Sequence, residues 1–248
     1  MHPLGPSMST LLRILLSLIT AFVAVPLARA QSEAALAGMQ AYNKGDYAAA
    51  YRLLRQSADA GDPHGLVNLG YLYARGHGVR ADQLQSLRLY ELSAKAGSSE
   101  GMNALGFKYL HGTGVSKDAK RAAYWFCEAI VRGNWRAMNN LGLLLISGEV
   151  PVDLPEARNL WKQASELGHP NAMNNLAISY LNGPDRDLQK ADELMLRAAQ
   201  LGHPGAQRYM RSRGYAGTFS PPINVELTMK PEPKGVVGHT KECGLYIS

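Results

Sequence analysis

Apolar residues recur along this chain on two scales. Over short stretches they fall three or four residues apart, the spacing of one face of an α-helix. Over long ones the whole pattern returns with gaps of 36, 36, 35 and 34 residues, as an aspartate does at Asp46, Asp82, Asp118, Asp153 and Asp187. The first helix of each unit carries Leu69-Gly70, Leu105-Gly106, Leu141-Gly142 or Leu176-Ala177. Four residues earlier sits a small residue, Gly65, Gly101, Ala137 or Ala172, and four later Tyr73, Tyr109, Leu145 or Tyr180. These steps put all three on one helix face, and the small residues admit a close neighbour. The second helix shows two adjacent apolar columns: Leu53, Leu89, Trp125, Leu160, Leu194, and Leu54, Tyr90, Phe126, Trp161, Met195. Bulky residues at helical spacing read as core rather than as a ligand platform.

Turns punctuate the units. Gly76-His77-Gly78-Val79, Gly112-Thr113-Gly114-Val115 and Ser147-Gly148-Glu149-Val150 stop the first helices, and Asn182-Gly183-Pro184-Asp185 is a degraded copy. The recurring aspartate follows, where its carboxylate caps the free amides opening the second helix. With one acid per unit, capping accounts for Asp46, Asp82, Asp118, Asp153 and Asp187, and a metal site does not. The second helix ends at Gly61, Gly97, Gly133, Gly168 or Gly202. A helix pair of this kind cannot bury its apolar face alone, so neighbours stack. The pattern predicts an all-α solenoid over residues 31–214, with residues 205–213 as a capping helix.

The combination of small-x3-Leu-Gly-x3-Tyr, Gly-x-Gly-Val, the capping aspartate and the Ala-Gly ending resembles the Sel1-like repeat family, a relative of the tetratricopeptide repeat. Copies at 64–99, 100–135 and 136–170 match well, and 171–204 partly. The segment 32–63 is more similar to an ordinary tetratricopeptide pair, because Lys44-Gly45-Asp46-Tyr47 replaces the longer turn. The resemblance implies a right-handed α–α superhelix with a concave inner face and a scaffold or adaptor role. Secreted bacterial members resemble envelope-assembly factors, regulators of sensor kinases or host-interaction proteins.

On such a fold, positions beside the core leucines of the first helices face inward. Asparagine is frequent there, at Asn103, Asn139 and Asn174 in one column and at Asn68, Asn140 and Asn175 in the next. An amide both donates and accepts, so a row of them suits an extended peptide backbone. The alternative, favoured for the second column, is that these amides bond to neighbouring turns. Further inward candidates are Tyr71, Phe107, Arg75, His111 and Arg136, a composition suited to a binding hot spot. Tyr71 and Phe107, one unit apart, form either an apolar anchor or inter-repeat packing.

Charge and chemistry narrow the reading. The 248 residues are 46% hydrophobic and 19% charged, ordinary for a folded chain, with a formal net charge of +6. No basic block of nucleic-acid-binding length occurs. Residues 1–30 read as a cleavable secretory signal, with Arg13, an apolar run from Leu15 to Val25, and Ala28-Arg29-Ala30 before the cleavage point. Removal of that segment takes two positive charges with it. The expectation is a protein of the periplasm or outside the cell, cut after Ala30, with no stable membrane insertion. Only two cysteines occur. Cys127 aligns with Arg55, Glu91, Lys162 and Leu196, a mostly polar column that predicts a position away from the deep core. Cys127 and Cys243 either pair, stay free, or link two chains through Cys243. Residues 215–248 read as a flexible tail of turn and linker composition, in which the alternating stretch 222–229 either stays disordered or forms a short strand on meeting a partner. The sequence offers no metal-ligand pattern, no cofactor motif, no Ser-x-x-Lys context and no nucleophile elbow. The reading is therefore an exported, non-catalytic adaptor holding a protein or peptide on its inner face. The alternatives are a peptidoglycan- or polysaccharide-binding envelope protein, and, more remotely, a β-lactamase-type hydrolase.

Overall fold

The computed structural model describes residues 33–219 and Cys243. The secretory signal read at 1–30 and the alternating stretch at 222–229 lie outside the described residues. Those residues form helices and turns, with no strand among them. Helix α1 spans 33–43. The others are α2 (Tyr47–Asp59), α3 (Pro63–Arg75), α4 (Gln83–Lys95), α5 (Ser99–His111), α6 (Ala119–Val131), α7 (Trp135–Ile146), α8 (Leu154–Glu166), α9 (Pro170–Asn182), α10 (Leu188–Gln200) and α11 (Pro204–Ser212). They fall into two compact units that divide at Ser93, inside α4. In the first unit α2 packs on α3. In the second, α5 pairs with α6, α7 with α8 and α9 with α10. There α6 also meets α7, α8 meets α9, and α10 meets α11.

One contact recurs within four of the five pairs. A bulky residue of the second helix packs against the bare backbone of the first. A Cβ on Gly70 would come within 2.7 Å of the Tyr90 ring, on Gly106 within 2.5 Å of Phe126, and on Gly142 within 2.5 Å of Trp161 Nε1. Gly38 stands in the same relation to Leu54, at 2.6 Å. The fifth pair resolves the same space differently: Ala177 has its methyl group, and the opposing residue is the narrower, flexible Met195, both buried in one cluster. Trp161 is buried and donates from Nε1 to the backbone oxygen of Asn139 at 3.2 Å, which satisfies its polar edge.

The turns follow the predicted chemistry. The glycines ending the second helices, Gly61, Gly97, Gly133, Gly168 and Gly202, hold φ between +81° and +87°. That left-handed turn lets the next amide reach back, as when Asn134 N–H donates to Ala129 C=O at 3.0 Å and His203 N–H to Ala198 C=O at 2.9 Å. After each first helix the recurring aspartate works with both ends of its residue. Asp82, Asp118 and Asp187 donate their amides to the carbonyls of Tyr73, Tyr109 and Tyr180, and Asp153 to that of Leu145. Their carboxylates accept from the amides of Gln85, Arg121, Lys190 and Glu156 at 2.8–3.0 Å. Asp46 accepts from Ala49 at 2.9 Å.

The degraded turn is rebuilt by a side chain. Gly183 has φ −79°, outside the left-handed region. Arg158 of α8 reaches into the turn, donating to Ser179 C=O at 2.6 Å and to both oxygens of Asp185 at 2.6 and 2.7 Å, with its guanidinium over the Tyr180 ring. At the end of the stack α11 closes the core with Ala206 and Met210. Asp192 of α10 accepts there from Tyr209 Oη at 2.6 Å and from Arg213 at 2.9 Å.

Cys127 departs from the expectation. It is fully buried, not peripheral, and is joined by a disulfide to Cys243 across a Cα–Cα distance of 5.3 Å. The polar character of the equivalent positions in other repeats misleads here, because this position bonds to a residue 116 positions further along the chain.

The glycine seats yield a direct test. Gly142→Ala is expected to lose about 1–3 kcal/mol by overpacking against Trp161. Combined with Trp161→Met, the arrangement of the fifth pair, the loss is smaller than the sum of the single losses. Urea unfolding of the four proteins in the double-mutant cycle measures this, and strict additivity would contradict the seat.

Candidate functional site: the first-helix face of the second unit

Helices α5, α7 and α9 lie side by side in the second unit, joined by their asparagines. Asn140 donates from Nδ2 to Asn103 Oδ1 at 2.9 Å, and Asn175 to Asn139 Oδ1 at 2.9 Å. Each bond ties a second-column amide to the first-column amide of the preceding repeat. Asn139 also approaches Asn140 Oδ1 at 3.5 Å and is only 6% exposed. This corrects the expectation of an open amide row. The acceptors of Asn103 and Asn139 serve the protein itself, and Asn140 and Asn175 of the second column bond to helices rather than to turns. Asn174 is half-buried beside Gly205 of α11, and Asn68 is half-buried in the first unit.

What the face presents to solvent is apolar. Phe107, Leu143 and Ile178 occupy equivalent positions one helical turn beyond Asn103, Asn139 and Asn174, and are 52%, 41% and 42% exposed. Ile146 of α7 adds to the patch. His111 packs its ring 4.2 Å from that of Phe107, and Arg136 stacks at 4.2 Å over Trp135. The amide ladder holds the three helices in register, and the column beside it carries one exposed apolar side chain per repeat. In sequence the aromatic Tyr71 and Phe107 stand out in this column, whereas Leu143 and Ile178 are aliphatic like the core residues around them and do not. The signal was the +2 position after each core leucine.

Tyr71 and Arg75 belong to the first unit. Tyr71 packs edge-on to Tyr42 at 5.8 Å, with Arg75 at 5.4 Å over its ring. Tyr42 in turn bonds through its hydroxyl to His77 Nδ1 at 3.0 Å, and Tyr47 stacks on His77 at 4.5 Å.

His169 is the buried ionisable group of this face. It opens α9 without a side-chain capping bond, is 4% exposed, has an unpaired Nδ1, and packs its ring T-shaped to that of Trp135 at 4.1 Å. Its counterpart His203 does cap, accepting from Ala206 N–H at 3.0 Å. Burial, with the charge of Arg136 and the proximity of His203, pushes the His169 pKa from 6.5 down to about 3. Lys108 is also buried, and desolvation lowers its pKa.

No group of side chains among the described residues is placed to hold a metal ion, and none of the described helices is long and apolar enough to cross a membrane. Gly97-Ser98-Ser99-Glu100-Gly101 does have Gly-x-Ser-x-Gly spacing. It lies in a helix-to-helix turn, however, not at the strand-to-helix bend of a nucleophile elbow. Ser99 is buried there and accepts from Asn134 Nδ2 at 3.2 Å.

Repeated helix pairs, capped at both turns and stacked through a glycine-seated core, define an α-helical repeat protein. The chain belongs to the Sel1 repeat family, whose profile matches residues 30–62, 63–98, 99–134, 135–169 and 170–203. The first pair, which the short turn at Lys44–Tyr47 sets apart, thus matches the same repeat as the rest. The fold is similar to that of a Sel1 repeat protein from Oxalobacter formigenes, with a TM-score of 0.63, 28% identity, and 76% of this chain and 78% of that one covered. It is also similar to c5321, a protective antigen present in uropathogenic Escherichia coli strains, with a TM-score of 0.58 and 27% identity. That match covers 77% of this chain and 43% of the antigen. The search of curated proteins returned no match. The repeat forms a generally non-catalytic scaffold fold, consistent with a protein-interaction role.

Two outcomes follow. Asn175→Leu leaves the buried oxygen of Asn139 without its donor and is expected to cost about 1–3 kcal/mol in urea unfolding. Asn174→Ala, by contrast, stays within roughly 0.5 kcal/mol. For His169 the folded pKa lies below the unfolded one, so the unfolded chain takes up the proton first. This contribution to stability is complete above pH 6.5. It falls as pH drops toward 3, by up to about 1.4 kcal/mol per unit. His169→Asn, the cap found at Asn134, is expected to flatten that part of the profile in unfolding measured across this range.

Proposed function

We propose that this protein is an exported adaptor that docks a segment of another protein on the first-helix face of its second unit, without covalent chemistry. The observation that carries the reading is the exposed column Phe107, Leu143 and Ile178 beside amides already bonded to one another. An apolar side chain once per repeat offers a partner a row of desolvating contacts, and the ladder keeps that row rigid, so little ordering is needed on binding. Recognition then rests on the partner's side chains more than on its backbone. Export rests on the signal-like residues 1–30, and membership of an interaction-scaffold family supports the adaptor role.

A photo-crosslinking residue at Leu143 or Ile178 is expected to trap a discrete protein partner in cells, whereas the same probe at Lys162 or Arg197, on second helices, does not. Phe107→Asp with Ile178→Asp abolishes the adduct and leaves the thermal midpoint within a few degrees, roughly the range of neutral surface changes. Adducts made from the second helices alone, or with glycan alone, would overturn the reading. The extracellular or periplasmic protein is expected to begin at Gln31.

A further inference from the structure

The outward face of α6 is unlike that of any other second helix. In α2 its four positions are Arg52, Arg55, Gln56 and Asp59, and in α8 Asn159, Lys162, Gln163 and Glu166. Helices α4 and α10 each carry a single leucine there, Leu92 and Leu196, among charged and polar residues. In α6 the same stripe is Tyr124, Cys127, Glu128 and Val131. The difference extends to exposure. Most of these positions are exposed elsewhere, but in α6 none is: Cys127 is buried and the other three are half-buried. A stripe that faces solvent in its siblings is covered in this one helix.

The disulfide identifies the cover. Cys243 is bonded to Cys127 and is itself buried. Immediately after it the sequence reads Gly244-Leu245-Tyr246-Ile247. Four residues reach at most about 14 Å, less than the roughly 20 Å length of a 13-residue helix. The bond thus tethers a sequence with three large apolar residues within reach of a helix whose stripe carries Tyr124 and Val131 beside the Glu128–Arg132 ion pair. We propose that the outward face of α6 is a docking face for the Leu245–Ile247 segment of the same chain, and that the Cys127–Cys243 bond latches it there. Burial of Leu245 and Ile247 against Tyr124 and Val131 supplies the affinity, and the bond supplies the local concentration.

Cys243→Ser keeps the segment, removes the latch and leaves Cys127 as the sole thiol. With dithionitrobenzoate, Cys127 in that protein is expected to react about tenfold or more slowly than a reference cysteine at the equivalent exposed position, made as Lys162→Cys in a Cys127→Ser, Cys243→Ser background. Adding Leu245→Asp and Ile247→Asp to the Cys243→Ser protein raises the Cys127 rate to that of the reference. Circular dichroism checks that each variant keeps its helices, and all the substitutions in the segment lie outside α1–α11. Three results would overturn the proposal. Cys127 could react at the reference rate with Cys243→Ser alone. The rate could stay slow after both aspartates are added, which assigns the cover to the helices themselves. Non-reducing mass mapping of the unaltered protein could find the bond between two chains, which assigns the segment to a second copy.

Discussion

In four of the five pairs the second helix presses a bulky side chain onto a stretch of first helix that has no side chain there to resist it. Tyr90, Phe126 and Trp161 occupy seats made by Gly70, Gly106 and Gly142. Close approach of the two helices depends on that missing Cβ, and the other apolar columns can interdigitate only once the axes are this near. Glycine inside a helix costs about 1 kcal/mol relative to alanine. Burying an aromatic ring of 150–250 Å² returns several times that at roughly 25 cal/mol per Å². The fifth pair, Ala177 with Met195, shows that the constraint is one of combined volume rather than of residue identity.

Because the pairs are held this way, the outer surfaces of the helices are released from packing and differ from one another. On the first helices of the second unit, amides knit neighbouring repeats together, leaving Phe107, Leu143 and Ile178 as the accessible part of the face. On the second helices the outward stripe is mostly charged or polar, with a single leucine in α4 and in α10, whereas in α6 it carries Cys127, disulfide-bonded to the distant Cys243. The same scaffold thus presents an exposed apolar column on its first helices and a covered stripe on α6.

Local features were legible because they obey local rules. The aspartates fall where helix amides need an acceptor, the glycines where φ must be positive, and the leucines every 34 to 36 residues. The asparagines show where such reasoning stops. Asn139 and Asn140 are adjacent in sequence, yet a helix turns them about 100° apart. One faces the following repeat and the other the preceding one, over separations of 36 and 37 residues. No column alignment states which amide faces which neighbour.

Sequence alone determined the number of helix pairs, their boundaries and the chemistry of their ends, since these depend on hydrogen bonds made within a turn or two of the residue concerned. Tertiary structure decided the rest. Asn139 became a buried acceptor, Arg158 replaced a lost glycine turn, and Cys127 moved from an apparently exposed column to complete burial. In each case the deciding partner lies on another element, 27 to 116 residues away for the Asp185 and Cys243 contacts. Periodicity records which face of a helix is apolar, while the occupant of that face is set by where the chain returns in space.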